Sequence, residues 1–184
     1  MPHIVLKKED CQKYLDEYIE QSILEEGVYL DSPDSMYAVY DGQVVVGICG
    51  LLTDNGIWEF NSLAVGKPYQ RQGYGTAIVE RLIEMCRESD PTSLLYYDVN
   101  FADVPTLINF YAKFNPIYTG IERGTWGGAA EFCIDCRIDK SQPNPYLVKY
   151  LLELKDDINN NDRLKEIAAM CPNTYIASRS VGSV

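Results

Sequence analysis

The stretch that most constrains this chain runs from Trp58 to Arg81, WEFNSLAVGKPYQRQGYGTAIVER. Ile57 to Val65 is apolar and aromatic and carries one carboxylate, Glu59, so it reads as a strand. Gly66-Lys67-Pro68 breaks that pattern. Gln70-Arg71-Gln72-Gly73-Tyr74-Gly75-Thr76 reads as a loop, and Ala77 to Arg87 places Ile78, Leu82, Ile83 and Met85 at helical spacing. A strand that feeds a glycine-bearing turn at a helix N-terminus suits an anion. The first-turn amides lack intrahelical partners, and they sit at the positive end of the dipole. Glycine lets the backbone approach a ligand closely, and Arg71 adds a cationic fork. The alternative is that Gly73 and Gly75 only make a tight turn.

Two common phosphate-binding patterns do not fit. A phosphate loop ending in Gly-Lys-Ser/Thr is missing from this stretch. A dinucleotide fingerprint needs a third glycine, and that position is Ile78. The stretch does satisfy Gln/Arg-x-x-Gly-x-Gly/Ala, with Leu63-Ala64-Val65 upstream. In this combination of strand, spacer, loop and helix it resembles the acyl-CoA pyrophosphate loop of the GNAT N-acetyltransferase superfamily.

The remaining elements follow in an order that suits this resemblance. His3 to Leu6 reads as a strand and Glu9 to Glu26 as a helix stopped by Gly27. Met36 to Tyr40 and Val44 to Leu52 form a hairpin turning on Asp41-Gly42. Leu94 to Val99 reads as a buried strand and Pro105 to Phe114 as a helix opened by its proline. Ile117 to Ile121 and Ala130 to Ile138 are the last strands. The expected architecture is α+β with three layers, a largely antiparallel seven-stranded sheet flanked by helices. The resemblance to the GNAT fold covers residues 3 to 138. It includes Asn109-Phe110-Tyr111-Ala112-Lys113-Phe114-Asn115-Pro116, which is similar to the family's FYxKxGF segment. Asn115 stands where the family has glycine, and asparagine also tolerates a left-handed helix end. Val104 stands where the family often has asparagine.

The resemblance implies an acetyl-CoA-dependent enzyme. The amides of Arg71, Gln72, Gly73, Tyr74, Gly75 and Thr76, in the motif opened by Gln70, would hold the pyrophosphate. The Leu63, Ala64 and Val65 backbone would bind the pantetheine arm and the thioester carbonyl. Glu59 matches a common position for the general base, and Tyr111 for the group that serves the departing thiolate. Each has an ordinary alternative: Glu59 as the partner of a cation, and Tyr111 as one packing aromatic among fourteen tyrosines. Asp98 and Asp103 compete with Glu59 for the base. Tyr96, Tyr97 and Trp126 are candidates for the acceptor pocket or for the core.

Charge and cysteine usage narrow the setting. A formal net charge of -11 argues against general nucleic-acid binding and accords with a cationic acceptor. The start MPHIVLKKEDCQ has no apolar leader core, and no run reaches membrane-spanning length, so a cytoplasmic protein is expected. Six scattered cysteines then read as reduced thiols. Cys133-Ile-Asp-Cys136 is expected within a strand, where residues three apart face opposite ways, which disfavours a shared metal or redox site. With His3 the one histidine, a histidine-based metal or triad site is not expected.

Residues 1–139 are therefore expected to form the acetyltransferase domain. Residues 140–184 form an extension, with a helix over Tyr146 to Ile158, a second from Asp162 to Cys171 and a polar tail. It would pack on the domain or make a homodimer contact. The expected reaction is acetyl transfer from acetyl-CoA to a primary amine, on a small cation or a peptide, by direct attack in a ternary complex. The alternative is a catalytically silent acyl-CoA-binding module.

Overall fold

Seven mostly apolar segments form the strands of one mostly antiparallel sheet with flanking helices, the architecture expected from the sequence. The computed structural model describes residues 2–8, 36–54, 57–89, 92–123, 128–142, 144–147 and 162–170. The expected helix over Glu9–Glu26, most of the one over Tyr146–Ile158, Trp126 and the polar tail lie outside the described residues. The chain divides into two compact units, Met1–Glu88 and Ser89–Val184.

The first unit holds β1 (Ile4–Lys8), β2 (Met36–Asp41), β3 (Val44–Asp54) and β4 (Ile57–Val65), each antiparallel to the one before. The β2–β3 hairpin turns on Asp41-Gly42 as expected, with Asp41 opposite Val44 and Gly42 at φ +61°. Met36, Ala38, Ile48, Leu51 and Phe60 are buried. A 3-10 turn at Lys67–Tyr69 leads to helix α1 (Tyr74–Ser89). The buried stripe of α1 is Ala77, Ile78, Val79, Leu82 and Cys86, while Ile83 and Met85 are half-buried. The helix starts three residues before the expected Ala77. Ala77 N donates to Gly73 O at 3.0 Å, which makes Gly73 the N-cap and puts Gly75 and Thr76 in the first turn.

The second unit holds β5 (Leu94–Asn100), α2 (Val104–Tyr111), β6 (Ile117–Arg123), β7 (Ala129–Asp135) and α3 (Asp162–Met170). Here β7 lies between β5 and β6 and is antiparallel to both. Asp103 precedes α2, Pro105 lies in its first turn, and a 3-10 turn at Ala112–Phe114 ends at Asn115 with φ +51°. That asparagine therefore takes the left-handed ending expected of it. β7 stops at Asp135, short of the expected Ile138, because Arg137 turns back onto Asp135. Its amide donates to Asp135 Oδ1 at 3.1 Å, and its guanidinium grips both carboxylate oxygens. Ile138 is 84% exposed.

The alternation along β5 and β7 gives this half of the sheet two different faces. On one, Tyr97 stacks on Phe132 at 5.4 Å and on Tyr111 at 4.4 Å between ring centroids, and Tyr118 lies 5.4 Å from Phe132. On the other, Leu94, Tyr96 and Cys133 form a cluster with Leu147 and Ile117. Asn144 ties the segment ahead of Leu147, donating to Thr92 O at 2.9 Å and accepting from Tyr146 N at 3.0 Å. Ile167 of α3 is buried, and α3 packs on β6. No helix among the described residues is long and apolar enough to cross a membrane.

Candidate active site

In the first unit, the end of β4 departs from a regular ladder. Gly50 pairs with Asn61 and Ile48 with Ala64, so Cys49 alone faces both Ser62 and Leu63. This is a β-bulge, with Ser62 held at φ +49°. It lies immediately before Leu63–Val65, the three residues expected to meet the cofactor arm, and all three are half-buried. Two glycines permit the close approach of β3 to β4. A Cβ on Gly47 would sit 2.3 Å from Ala64 O, and one on Gly50 would sit 1.9 Å from Asn61 Oδ1. Nothing in the sequence pattern signals the bulge, because it depends on the register between two strands.

Glu59 lies on β4 opposite Leu52 and is half-buried. Asn61 shares its face of the strand by period-two alternation. Asn61 Oδ1 is buried and accepts no hydrogen bond from the described residues.

The loop after β4 is braced by its own side chains. Gln70 Nε2 donates to Val65 O at 3.0 Å, and Gln72 Nε2 donates to Pro68 O at 2.7 Å. The Gln70 amide donates to Lys67 O at 3.3 Å, so both polar ends of this residue hold the turn. Arg71 at φ +62° and Gly73 at φ +91° then swing the chain into α1. The amides of Gly73, Tyr74 and Gly75 precede the first intrahelical hydrogen bond. Arg71, Gln72 and Gly73 are exposed, while Tyr74, Gly75 and Thr76 are half-buried. The Tyr74 hydroxyl donates to Asp41 Oδ2 at 2.6 Å across the hairpin turn. That bond, with some desolvation and the Asp41 charge, raises the Tyr74 phenol above its ordinary value. Sequence reading missed this partner, since 33 residues separate the two.

In the second unit, Tyr111 is 8% exposed and lines a small apolar cavity with Tyr97, Val99, Val104, Ile108, Pro116 and Phe132. Desolvation pushes its phenol up to about 12. Val104 is buried in that lining, an apolar side chain where asparagine was the expected alternative. Tyr96 and Tyr97 are both buried in packing roles on opposite faces of β5. Asp98 is exposed on β5, and Asp103 is exposed just before α2.

Four described cysteines, Cys49, Cys86, Cys133 and Cys136, are buried and form no disulfide. Cys136 lies one residue beyond β7 instead of within it, and its thiol donates to Ile134 O at 3.5 Å. Burial, aided by the nearby Glu131 and Asp135 charges, pushes the Cys133 thiol well above its ordinary value and keeps it protonated.

Comparison with known proteins bears on this arrangement directly. Residues 5–115 match the family model described as acetyltransferase (GNAT) family. No curated protein sequence matches the chain. Among solved structures, a GNAT-family acetyltransferase from Staphylococcus aureus Mu50 matches with a TM-score of 0.52 at 17% identity, covering 73% of this chain and 100% of that one. The ribosomal-protein-S18-alanine N-acetyltransferase of Escherichia coli matches at 0.53 and 14% identity, over 76% and 98%. Ard1 from Thermoplasma volcanium matches at 0.53 and 16%, over 71% and 95%. At such identities the structural likeness is one of fold, whereas the family model spans the bulged strand, the loop and α2 together. By that match, over more than half of its length, the chain belongs to the acetyltransferase (GNAT) family.

Proposed function

We propose that this chain is an acyl-CoA-dependent N-acetyltransferase that moves an acetyl group from acetyl-CoA to a primary amine in a ternary complex. The observation that carries this reading is the start of α1. There Gly73 at φ +91° caps the helix, and amides ahead of the ladder offer a diphosphate a set of donors at the positive end of the dipole. With Gln70 and Gln72 bracing the loop, the amides of Arg71 to Thr76 are the cofactor's anchor. Leu63, Ala64 and Val65 supply backbone groups to the pantetheine arm and to the thioester oxygen. The bulge supports that role at Leu63, where it interrupts the pairing with β3, while Ala64 and Val65 pair with Ile48 and Gly47.

Glu59 is the base. It takes a proton from the amine, directly or through one water, and the nitrogen lone pair attacks the thioester carbonyl carbon. The carbonyl electrons move onto oxygen, where backbone donors hold them. Collapse re-forms the carbonyl, breaks the carbon–sulfur bond and releases the thiolate, and the nitrogen gives its second proton to solvent to leave the neutral amide. Tyr111 serves that sulfur. A phenol near 12 is a poorer acid than an ordinary thiol near 8.5, so full transfer would run uphill by about 5 kcal/mol. A hydrogen bond from its retained proton is the better fit, with solvent completing the protonation.

The acceptor is a small cationic amine or a peptide amine, in keeping with a net charge of -11. Residues 1–139 form the catalytic domain and 140–184 a helical extension. Burial of Leu147 and Ile167 supports packing of that extension on the domain over a dimer contact. Buried cysteines outside any disulfide accord with work in the cytoplasm. Calorimetric titration with acetyl-CoA, followed by thiol release across an amine panel, tests the reading. Binding with turnover that vanishes in Glu59→Gln supports it. Binding without turnover moves the protein to the silent acyl-CoA-binding class, and no binding at millimolar ligand overturns both.

A further inference from the structure

The loop that leads into α1 has its two ends held differently. The strand end is fixed by Gln70 on Val65 O, and the 3-10 turn by Gln72 on Pro68 O. Between that turn and the helix, two left-handed residues, Arg71 and Gly73, make the path sensitive to where the helix begins. At the helix end, Tyr74 is the first residue of α1, and its hydroxyl donates to Asp41 Oδ2 at 2.6 Å. Tyr69 packs edge-on against the Tyr74 ring at 6.0 Å. Asp41 is itself rigidly placed. It closes the β2–β3 hairpin opposite Val44, and it pairs with Ile4 of β1 on its other side.

We infer that the Asp41–Tyr74 hydrogen bond is a positioning device, which clamps the start of α1 to the sheet and sets the reach of its first-turn amides towards the cofactor diphosphate. The inference rests on the reading of that helix start as the cofactor site. A carboxylate close to an anion site is electrostatically unfavourable by itself. If charge were all that Asp41 contributed, removing it would tighten anion binding. The clamp requires the opposite.

Two donors separate the clamp from a general effect on the fold. Acetyl-CoA carries the diphosphate, whereas acetyl-pantetheine is the same thioester without nucleotide or phosphates. Asp41→Ala is expected to raise the acetyl-CoA Kd about tenfold. Turnover of acetyl-pantetheine by the same variant is expected to stay at the wild-type level. Asp41→Asn keeps an oxygen that can accept from Tyr74 and is expected to bind acetyl-CoA nearly as wild type does. Tyr74→Phe should lose as much affinity as Asp41→Ala, and the double variant no more than either, as for two groups acting as one unit.

Unchanged or tighter acetyl-CoA binding by Asp41→Ala overturns the clamp while leaving the cofactor site intact. So does an equal loss with both donors, because that marks a general structural defect. Failure of the wild-type protein to bind acetyl-CoA overturns the cofactor reading and the clamp with it.

Discussion

The start of α1 in the first unit and the surroundings of Tyr111 in the second are built on opposite principles. Under the proposed function the first is a backbone site. Its useful groups are amides, its geometry depends on positive φ angles at Arg71 and Gly73, and its side chains serve as braces. The second would be a side-chain site, in which one phenol stands among Tyr97, Val104, Ile108 and Phe132 and keeps its proton through desolvation. A backbone site tolerates truncation of side chains but not an added Cβ at the wrong φ. A side-chain site behaves in the reverse way. The two regions should therefore fail under different substitutions.

The largest effect is expected where neither rule protects the protein. Glu59→Gln should lower kcat by about a hundredfold or more and leave the acetyl-CoA Kd unchanged, as measured by thiol release and calorimetry. Unchanged kcat would pass the role of base to another carboxylate.

Gly73→Ala tests the backbone site. At φ +91° an L side chain is strained, so a loss of about 1–2 kcal/mol in stability is expected. A Cβ there would find ordinary contact, at 3.5 Å from Pro2 Cδ, so the conformation is at stake and not crowding. Acetyl-CoA affinity should fall about tenfold or more as the N-cap shifts. Equal affinity would show that the amides do not carry the cofactor.

Tyr111→Phe tests the side-chain site. A decrease of about tenfold in kcat is expected, with Kd held, from loss of one hydrogen bond to the leaving sulfur. The variant also has a pH signature. The folded-state value is raised to about 12 from an unfolded value near 10, so the native state holds this proton more tightly. The stability it contributes is fully present below pH 10 and is lost as pH rises towards 12. Urea unfolding at pH 9 and pH 11 should show that component of the loss in the wild type but not in Tyr111→Phe.

Asp135→Asn is the smallest effect, at a residue that has no role in the proposed function. Burial works to raise this carboxyl, yet the hydrogen bonds and charge of Arg137, with help from Asn144, hold it below the usual carboxylate range. Its contribution is present above the ordinary value near 3.9 and is lost as pH falls through the lower folded value. The variant should be about 1 kcal/mol less stable at neutral pH, with the gap to wild type closing in acid. Acetyl-CoA binding should not move.

Much of the fold was legible because its signals are periodic and local. The apolar runs along Met36–Tyr40, Val44–Leu52 and Leu94–Val99 and the stripe along α1 each show within a few residues. The Asp41-Gly42 turn and the left-handed ending at Asn115 follow from residue types that favour positive φ. The loop motif was legible for the same reason, since Gly73 and Gly75 stand in one short run. Errors fell at element ends. Gly75 and Thr76 read as loop until the Ala77–Gly73 hydrogen bond placed them in the helix. Cys136 read as strand until the Arg137–Asp135 fork ended β7 before it.

By itself, then, the sequence determined the order of the described strands and helices, the Gln70–Thr76 motif and the candidates Glu59 and Tyr111. All of these are encoded within windows of a dozen residues. Tertiary structure alone decided the bulge at Ser62, the desolvation of Tyr111 and the bond from Tyr74 to Asp41. The physical reason is the same in each case. Register, burial and long-range hydrogen bonds are properties of pairs of segments, and a single segment read alone contains only half of each pair.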